Sequence, residues 1–105
     1  MIIVVHTTTA NMDEAKTIAH ALVEKRLAAC INMHPITSIY NWKGNVEEEG
    51  EIELSIKTTS EMLEDVRKTI VSMHSYDLPA LLWWPIDAED KYGQWIADSL
   101  SYSCK

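Results

Sequence analysis

Phenylalanine is absent from this sequence, and glycine, proline and cysteine are scarce, at three, three and two residues among 105. Each shortage closes off a class of protein. Three scattered glycines leave no glycine-rich loop to cradle a phosphate. Two cysteines, Cys30 and the penultimate Cys104, are too few for the disulfide framework of a small secreted domain, and they read as free thiols in a reducing cytoplasm. Basic residues are short as well. Nine Lys and Arg stand against sixteen Asp and Glu, giving a net charge of −7 and a pI near 4.9, which argues against the basic face of a nucleic-acid binder. Long apolar runs are missing too. The opening run at residues 2–5 is too short for a signal-peptide core and lacks a basic flank. Nothing approaches the roughly 18–20 apolar residues of a membrane-spanning helix. The chain reads as soluble, without nucleic acid or membrane as a partner.

What is present is ordinary globular material, 47% apolar and 24% charged, of a length that suits one domain over residues 1–105. A domain this small buries only about 60–70% of its unfolded surface, which favours oligomerisation. The β-branched run at residues 2–5 predicts a buried strand extending toward Thr7. Asn11 and Glu14 have capping-box spacing. Behind them Met12, Ala15, Ile18, Ala19, Leu22, Val23 and Leu27 recur at helical intervals, predicting a helix over 12–27. A second strand follows over 28–42, with Pro35 placing it at an edge, a bend or a bulge. Gly44-Asn45 signals a hairpin. Ile52, Leu54 and Ile56 alternate with polar residues in the returning strand. Thr58 and Glu61 suggest a second capping box ahead of a helix through Leu63, Val66, Ile70 and Met73. A fourth strand is expected over 80–84, closed by Pro85, and a short terminal helix through Tyr92, Trp95, Ile96 and Leu100.

The order β-α-β-β-α-β plus a helix predicts an α+β, ferredoxin-like fold, an antiparallel sheet with both main helices on one face. The other face must be polar, bind something or be covered by another subunit. The two middle strands, about 14 residues each, exceed the usual 5–6, and their projecting edges invite pairing with a neighbour.

Candidate chemistry is diffuse. His6, His20, His34 and His74, the cysteines, the methionines and many carboxylates could ligate a metal, but no local ligand spacing specifies a site. His20 falls on the polar helix face, and His34 sits beside Pro35. His6 ends the first strand and His74 the second helix, ends that this topology can bring together. Cys30 reads as a small core residue. Glu47, Glu48, Glu49, Glu51 and Glu53 hold five of the sixteen acids and no base lies among them, leaving eleven acids against nine bases elsewhere. They read as a solvated hairpin patch where like charges deter edge pairing and cations gather weakly. Trp83 and Trp84 must point to opposite faces of their strand. One is expected under the helices and its neighbour on the open face, at a subunit contact or ligand cleft.

These segments resemble the CutA family of divalent-cation tolerance proteins. Ala15-Lys16-Thr17-Ile18-Ala19 and the segment from Leu22 to Asn32 are similar to its helix-to-strand region. Thr37-Ser38-Ile39-Tyr40-Asn41-Trp42-Lys43-Gly44, Glu47-Glu48 and Ile56-Lys57-Thr58-Thr59 are similar to its central hairpin. His74-Ser75-Tyr76-Asp77-Leu78-Pro79 corresponds to its His-Pro-Tyr loop and Tyr92-Gly93-Gln94-Trp95-Ile96 to its terminal helix. The resemblance implies a cytoplasmic homotrimer, similar to the PII signalling proteins, with interlocked hairpins and an association with tolerance to divalent metals, copper above all. The copper-site Cys assigned in some members falls here on Thr7, beside His6, and the paired His positions fall on Met73 and His74. Ser75 replaces the loop proline, and Ala80 the Glu that usually follows Pro79. The reading that follows is a noncatalytic homotrimer holding Cu(II) or a related divalent cation weakly, with His74 the best single ligand and His6 or Met73 assisting. Ligation needs neutral imidazole and weakens as pH falls through about 6.5. The alternative is a PII-like regulatory module that binds a small molecule or protein at intersubunit clefts walled by Tyr40, Trp42, Lys57 and Tyr76, with Trp84 at the interface. An acylphosphatase-like enzyme fits poorly, because Arg26 and Arg67 both fall on predicted helices with no anion loop to complete.

Overall fold

A computed structural model describes residues 1–101. The β-branched run at the N-terminus forms β1 (Ile2–Thr9), which lies inside a four-stranded antiparallel sheet of order β2-β3-β1-β4. The other strands are β2 (Cys30–Trp42), β3 (Asn45–Thr59) and β4 (Leu82–Pro85). Strand alternation sends Ile3, Val5, Leu54 and Ile56 to one face. There Ala15, Ile18, Ala19 and Leu22 of α1 (Met12–Glu24) and Val66 and Ile70 of α2 (Leu63–Met73) close the core over them. This is the α+β, ferredoxin-like arrangement, with a further helix α3 (Asp90–Asp98).

Both helix starts depart from the simple capping box. Asn11 Oδ1 accepts from Glu14 N–H at 2.8 Å, but Glu14 reaches back to the N–H of Ala10, at 3.3 Å, rather than to Asn11. The Thr58/Glu61 pair does not cap α2 at all. Thr58 Oγ1 donates to Leu27 O at 2.7 Å, and a short 3-10 turn (Ser60–Met62) precedes α2, which has no side-chain cap. α1 stops at Glu24, three residues before its apolar periodicity ends. Arg26 there takes a left-handed φ of 59°, its N–H bonds Val23 O at 3.0 Å and Leu27 N–H bonds Leu22 O at 2.9 Å, a Schellman closure. Glycine usually fills that place. Arg26 repays the strain at long range: its Nε and Nη2 donate to Ser99 O and Asp98 O at 3.0 and 2.9 Å, neutralising the negative end of α3.

The β2–β3 hairpin turns one residue earlier than Gly44-Asn45 suggests. Trp42 pairs with Asn45, and the two-residue loop is Lys43-Gly44, both at positive φ, 52° and 85°. That is the combination a type I′ hairpin turn demands. Pro35 keeps unbroken register opposite Ile52, because β2 is an edge strand. β1 pairs with β3 only as far as Ile52, so residues 36–42 and 45–51 run on as a two-stranded ribbon. The ribbon stretches the molecule to 47 × 25 × 20 Å and leaves Ile39 and Val46 exposed on its far side.

Two core expectations are corrected. Neither tryptophan of β4 is under the helices: Trp83 is 43% and Trp84 45% exposed. Trp83, opposite Val5, does face the helical side, but β4 is the sheet edge and the ring is only roofed by the Arg67 guanidinium at 5.0 Å. Cys30 is not a core residue. Its pairing with Lys57 puts it on the open face, half-buried, with its thiol 3.9 Å from Asn32 Oδ1. Cys104 lies outside the described residues.

Candidate functional site

α3 covers one end of the open face. A Cβ on Gly93 would come within 3.0 Å of Ile2 Cδ1, and Lys57 Nζ meets both the hydroxyl and the ring face of Tyr92, at 3.4 Å from the oxygen and 5.5 Å from the centroid. Beyond His6 no helix of the described residues covers this face, and a groove of about 760 Å³ opens there. Its floor follows from the period of two along each strand. Glu47, Glu49, Glu51 and Glu53 of β3 share this face. Tyr40, Ser38, Ile36 and His34 of β2 stand opposite them in turn, with Trp42 at the far end, and Thr8 of β1 stands on the other side of Glu53. The segment after α2 supplies the remaining wall with Tyr76, Asp77, Leu78 and Ala80.

That segment is fastened by its own side chains. His74 Nε2 lies 2.6 Å from Thr8 O, an oxygen that can only accept, so Nε2 carries a proton; Nδ1 then accepts the N–H of Tyr76 at 3.0 Å. The tilted rings of His74 and Tyr76 are 4.8 Å apart, and Tyr76 Oη donates to Glu51 Oε2 at 2.8 Å. Burial pushes the Tyr76 phenol well above its usual range, and the hydrogen bond to the Glu51 carboxylate adds to the rise. At Glu51 partial burial works upward, but hydrogen bonds from Ser38, Tyr76 and Thr8 outweigh it and hold the carboxyl below its ordinary value. On the helical side Ser75 N–H donates to Glu14 Oε2 at 2.8 Å, a bond that a proline at this position could not make. Burial raises the Glu14 carboxyl, and the bonds from Ser75 and Ala10 more than reverse it, so it too is lowered.

The expected ligands occupy three different settings. His6 faces the groove with Nδ1 3.7 Å from Glu53 Oε2, and His34 Nε2 approaches the other oxygen of the same carboxylate at 3.5 Å. His74 spends both nitrogens inside the fold, and Met73 packs against the core. Thr7, where the resemblance would place a copper-site Cys, is fully buried on the opposite face from His6, and its hydroxyl has no hydrogen-bond partner among the described residues. Among the described residues no group of three His, Cys, Asp or Glu is arranged to hold a metal ion. His20 is exposed on α1. Of the residues expected at a cleft, Tyr40, Trp42 and Tyr76 come together on the groove, where Glu49 raises the Tyr40 phenol by hydrogen bonding. Lys57 and Trp84 sit at the α3 end of the same face. The sequence reading missed Glu51 as Tyr76's partner and His34 beside Glu53. The alternation from Glu47 to Glu53, set against a hairpin register, is the signal that puts them on one face.

No helix among the described residues is long and apolar enough to cross a membrane. The chain is 43% identical over 88 residues to human Protein CutA, covering 82% of this chain and 49% of that protein. It is 38% identical over 99 residues to Protein CutA, chloroplastic, of Arabidopsis thaliana, covering 92% and 54%. It thus spans about half the length of these relatives. The solved structure of the periplasmic divalent cation tolerance protein CutA from Archaeoglobus fulgidus superposes with a TM-score of 0.94 at 35% identity, covering 96% of this chain and all of that one. Residues 3–99 match the family model of the CutA1 divalent ion tolerance protein, and the chain belongs to that family.

Proposed function

We propose that the chain is a noncatalytic, homotrimeric protein of divalent-cation response that acts in the cytoplasm and holds Cu(II) or a related cation weakly. The observation that carries this reading is the uncovered sheet face, on which four glutamates of β3 and His6 share one groove. An isolated two-stranded ribbon is marginal in water. The exposed Trp42, Trp84, Ile39 and Val46 support a neighbouring subunit as its cover. Within the groove His6 is the readiest imidazole donor. His74 ligates through Nδ1 only by giving up the Tyr76 N–H, and Met73 is half-buried with its side chain packed against the core. Light scattering on a sizing column is expected to give about three times 12.0 kDa, and a monomer removes the reading. Calorimetric titration of Cu(II) is expected to weaken in His6→Ala more than in His74→Ala. Equal isotherms for the wild type and both variants dismiss these histidines as ligands.

A second reading, a PII-like regulatory module, is favoured by the aromatic side of the groove. Tyr40, Trp42 and Tyr76 line a space within the 300–1,000 Å³ typical of small-molecule sites. Tryptophan fluorescence against a metabolite panel in metal-free buffer tests it. A panel that leaves the emission unchanged speaks against it.

A further inference from the structure

We propose that the loop after α2 is a strap that fixes the direction of the β2–β3 ribbon, and that subunit assembly depends on this strap; the second part rests on the homotrimer reading. β1 leaves the sheet at Thr9, opposite Ile52, so residues 36–42 and 45–51 continue with no third strand beside them. A two-stranded ribbon takes a larger twist than a wider sheet, and alone it is marginal in water. Backbone pairing therefore sets the register of the ribbon but leaves its angle to the rest of the fold open.

Side chains that converge on Glu51, the first residue of β3 beyond the pairing with β1, supply the missing constraint. Its carboxylate accepts from the Tyr76 hydroxyl at 2.8 Å, and Ser38 of β2 and Thr8 of β1 also bond to it. One carboxylate thus ties both strands of the ribbon to β1 and to the loop, through bonds that its charge strengthens. The loop end of the tie is itself fixed. His74 Nε2 donates to Thr8 O, and its Nδ1 accepts the Tyr76 N–H at 3.0 Å. Ser75 N–H donates to Glu14 of α1 at 2.8 Å. The Tyr76 ring rests tilted against His74, 4.8 Å between centroids, with its hydroxyl on Glu51. β1, α1 and the end of α2 therefore all bear on one phenol, and the phenol bears on the ribbon.

The ribbon is a lever. From Glu51 to the turn at Asn45 it runs about 20 Å, at some 3.4 Å per residue, so a swing of about 10° at the root carries the tip roughly 3.5 Å. Apolar contact is forfeited over gaps of about 1 Å. The exposed Ile39, Val46 and Trp42 can thus meet a neighbouring subunit only if the root is held.

Tyr76→Phe cuts the strap by one oxygen and keeps the ring against His74. Amide hydrogen exchange is read by NMR at a protomer concentration where the variant and the wild type have the same mass by light scattering. Ribbon amides over 37–41 and 46–50 are expected to exchange about tenfold faster in the variant, with the core amides of Val5 and Leu54 unchanged. On dilution, light scattering should show the variant dissociating at an about tenfold higher protomer concentration than the wild type. Glu51→Ala should act at least as strongly, and Glu51→Gln, which keeps an acceptor, should fall between. Glu53→Gln, on the same face but inside the three-stranded part, should leave both readings at wild type. Unchanged ribbon exchange in Tyr76→Phe overturns the strap. Equal acceleration of ribbon and core overturns it as well, by making the bond a contribution to overall stability. Faster ribbon exchange with undiminished assembly overturns the dependence of assembly on the strap. A monomeric wild type removes the trimer reading and that dependence with it, while the exchange comparison still decides the strap.

Discussion

On one face of the sheet Ile3, Val5, Leu54 and Ile56 are sealed beneath two helices, while on the other the same strands present His6, Glu51 and Glu53 to a groove. The backbone is shared, so the difference lies wholly in what each alternate side chain meets. The helical face is held by burial, about 25 cal/mol for each Å² of apolar surface removed from water. The open face is held by a few directed bonds, and its residues remain free to meet a ligand or another subunit. Substitutions on the first face should therefore register as stability, and on the second as binding.

The sharpest way to break that division is Leu54→Ala, which empties a fully buried position and should cost about 2–5 kcal/mol in chemical denaturation at fixed protomer concentration. Its neighbour Glu53→Gln, pointing the other way, should shift stability by no more than about 0.5 kcal/mol. A comparable loss at both positions abolishes the distinction. Arg26→Ala tests the place where the faces are joined, because α3 begins over the open face and its end leads into Leu100 in the core. Losing the bonds to Asp98 O and Ser99 O should cost about 1–2 kcal/mol, because alanine keeps the Cβ and with it the strain of the left-handed φ. Arg26→Gly, which relieves the strain completely, should lose less. Thr7→Val removes a buried hydroxyl without a partner and should raise stability by about 1 kcal/mol, seen as a higher Tm. A drop would mean that the hydroxyl is paired in solution.

The smallest effect concerns acid. Glu14 holds the loop after α2 from the helical side and Glu51 from the groove side, and both carboxyls are lowered in the folded chain. Their stabilisation is fully present above the ordinary value of 4.5 and is lost as pH falls through the lowered folded values. Glu14→Gln should therefore cost roughly 0.5 kcal/mol near neutrality and flatten the acid limb of the stability profile. An unchanged acid limb in that variant denies the Ser75–Glu14 bond any thermodynamic weight.

The element order was legible because periods of 3.6 and 2 are printed directly in the apolar residues. What failed were readings that depend on the third dimension. Lys43 at positive φ gave no local warning, so the turn was placed one residue late. One of Trp83 and Trp84 reads as a core residue because their strand is legible, whereas its place at the sheet edge is not. Arg26 continued a helical pattern that the chain abandons to reach α3, more than 70 residues away. The groove was half legible. Alternation placed the glutamates together, but the Tyr76–Glu51 bond joins residues 25 apart, and no spacing rule links them.

One detail of the loop makes it its own reporter. The amide of Tyr76 bonds an imidazole nitrogen in place of a carbonyl oxygen, so its hydrogen exchange follows the lone pair of His74. Any event that claims that lone pair, whether a proton or a metal, should release the amide to solvent. The Tyr76 N–H resonance can thus register a change at His74 before any unfolding begins.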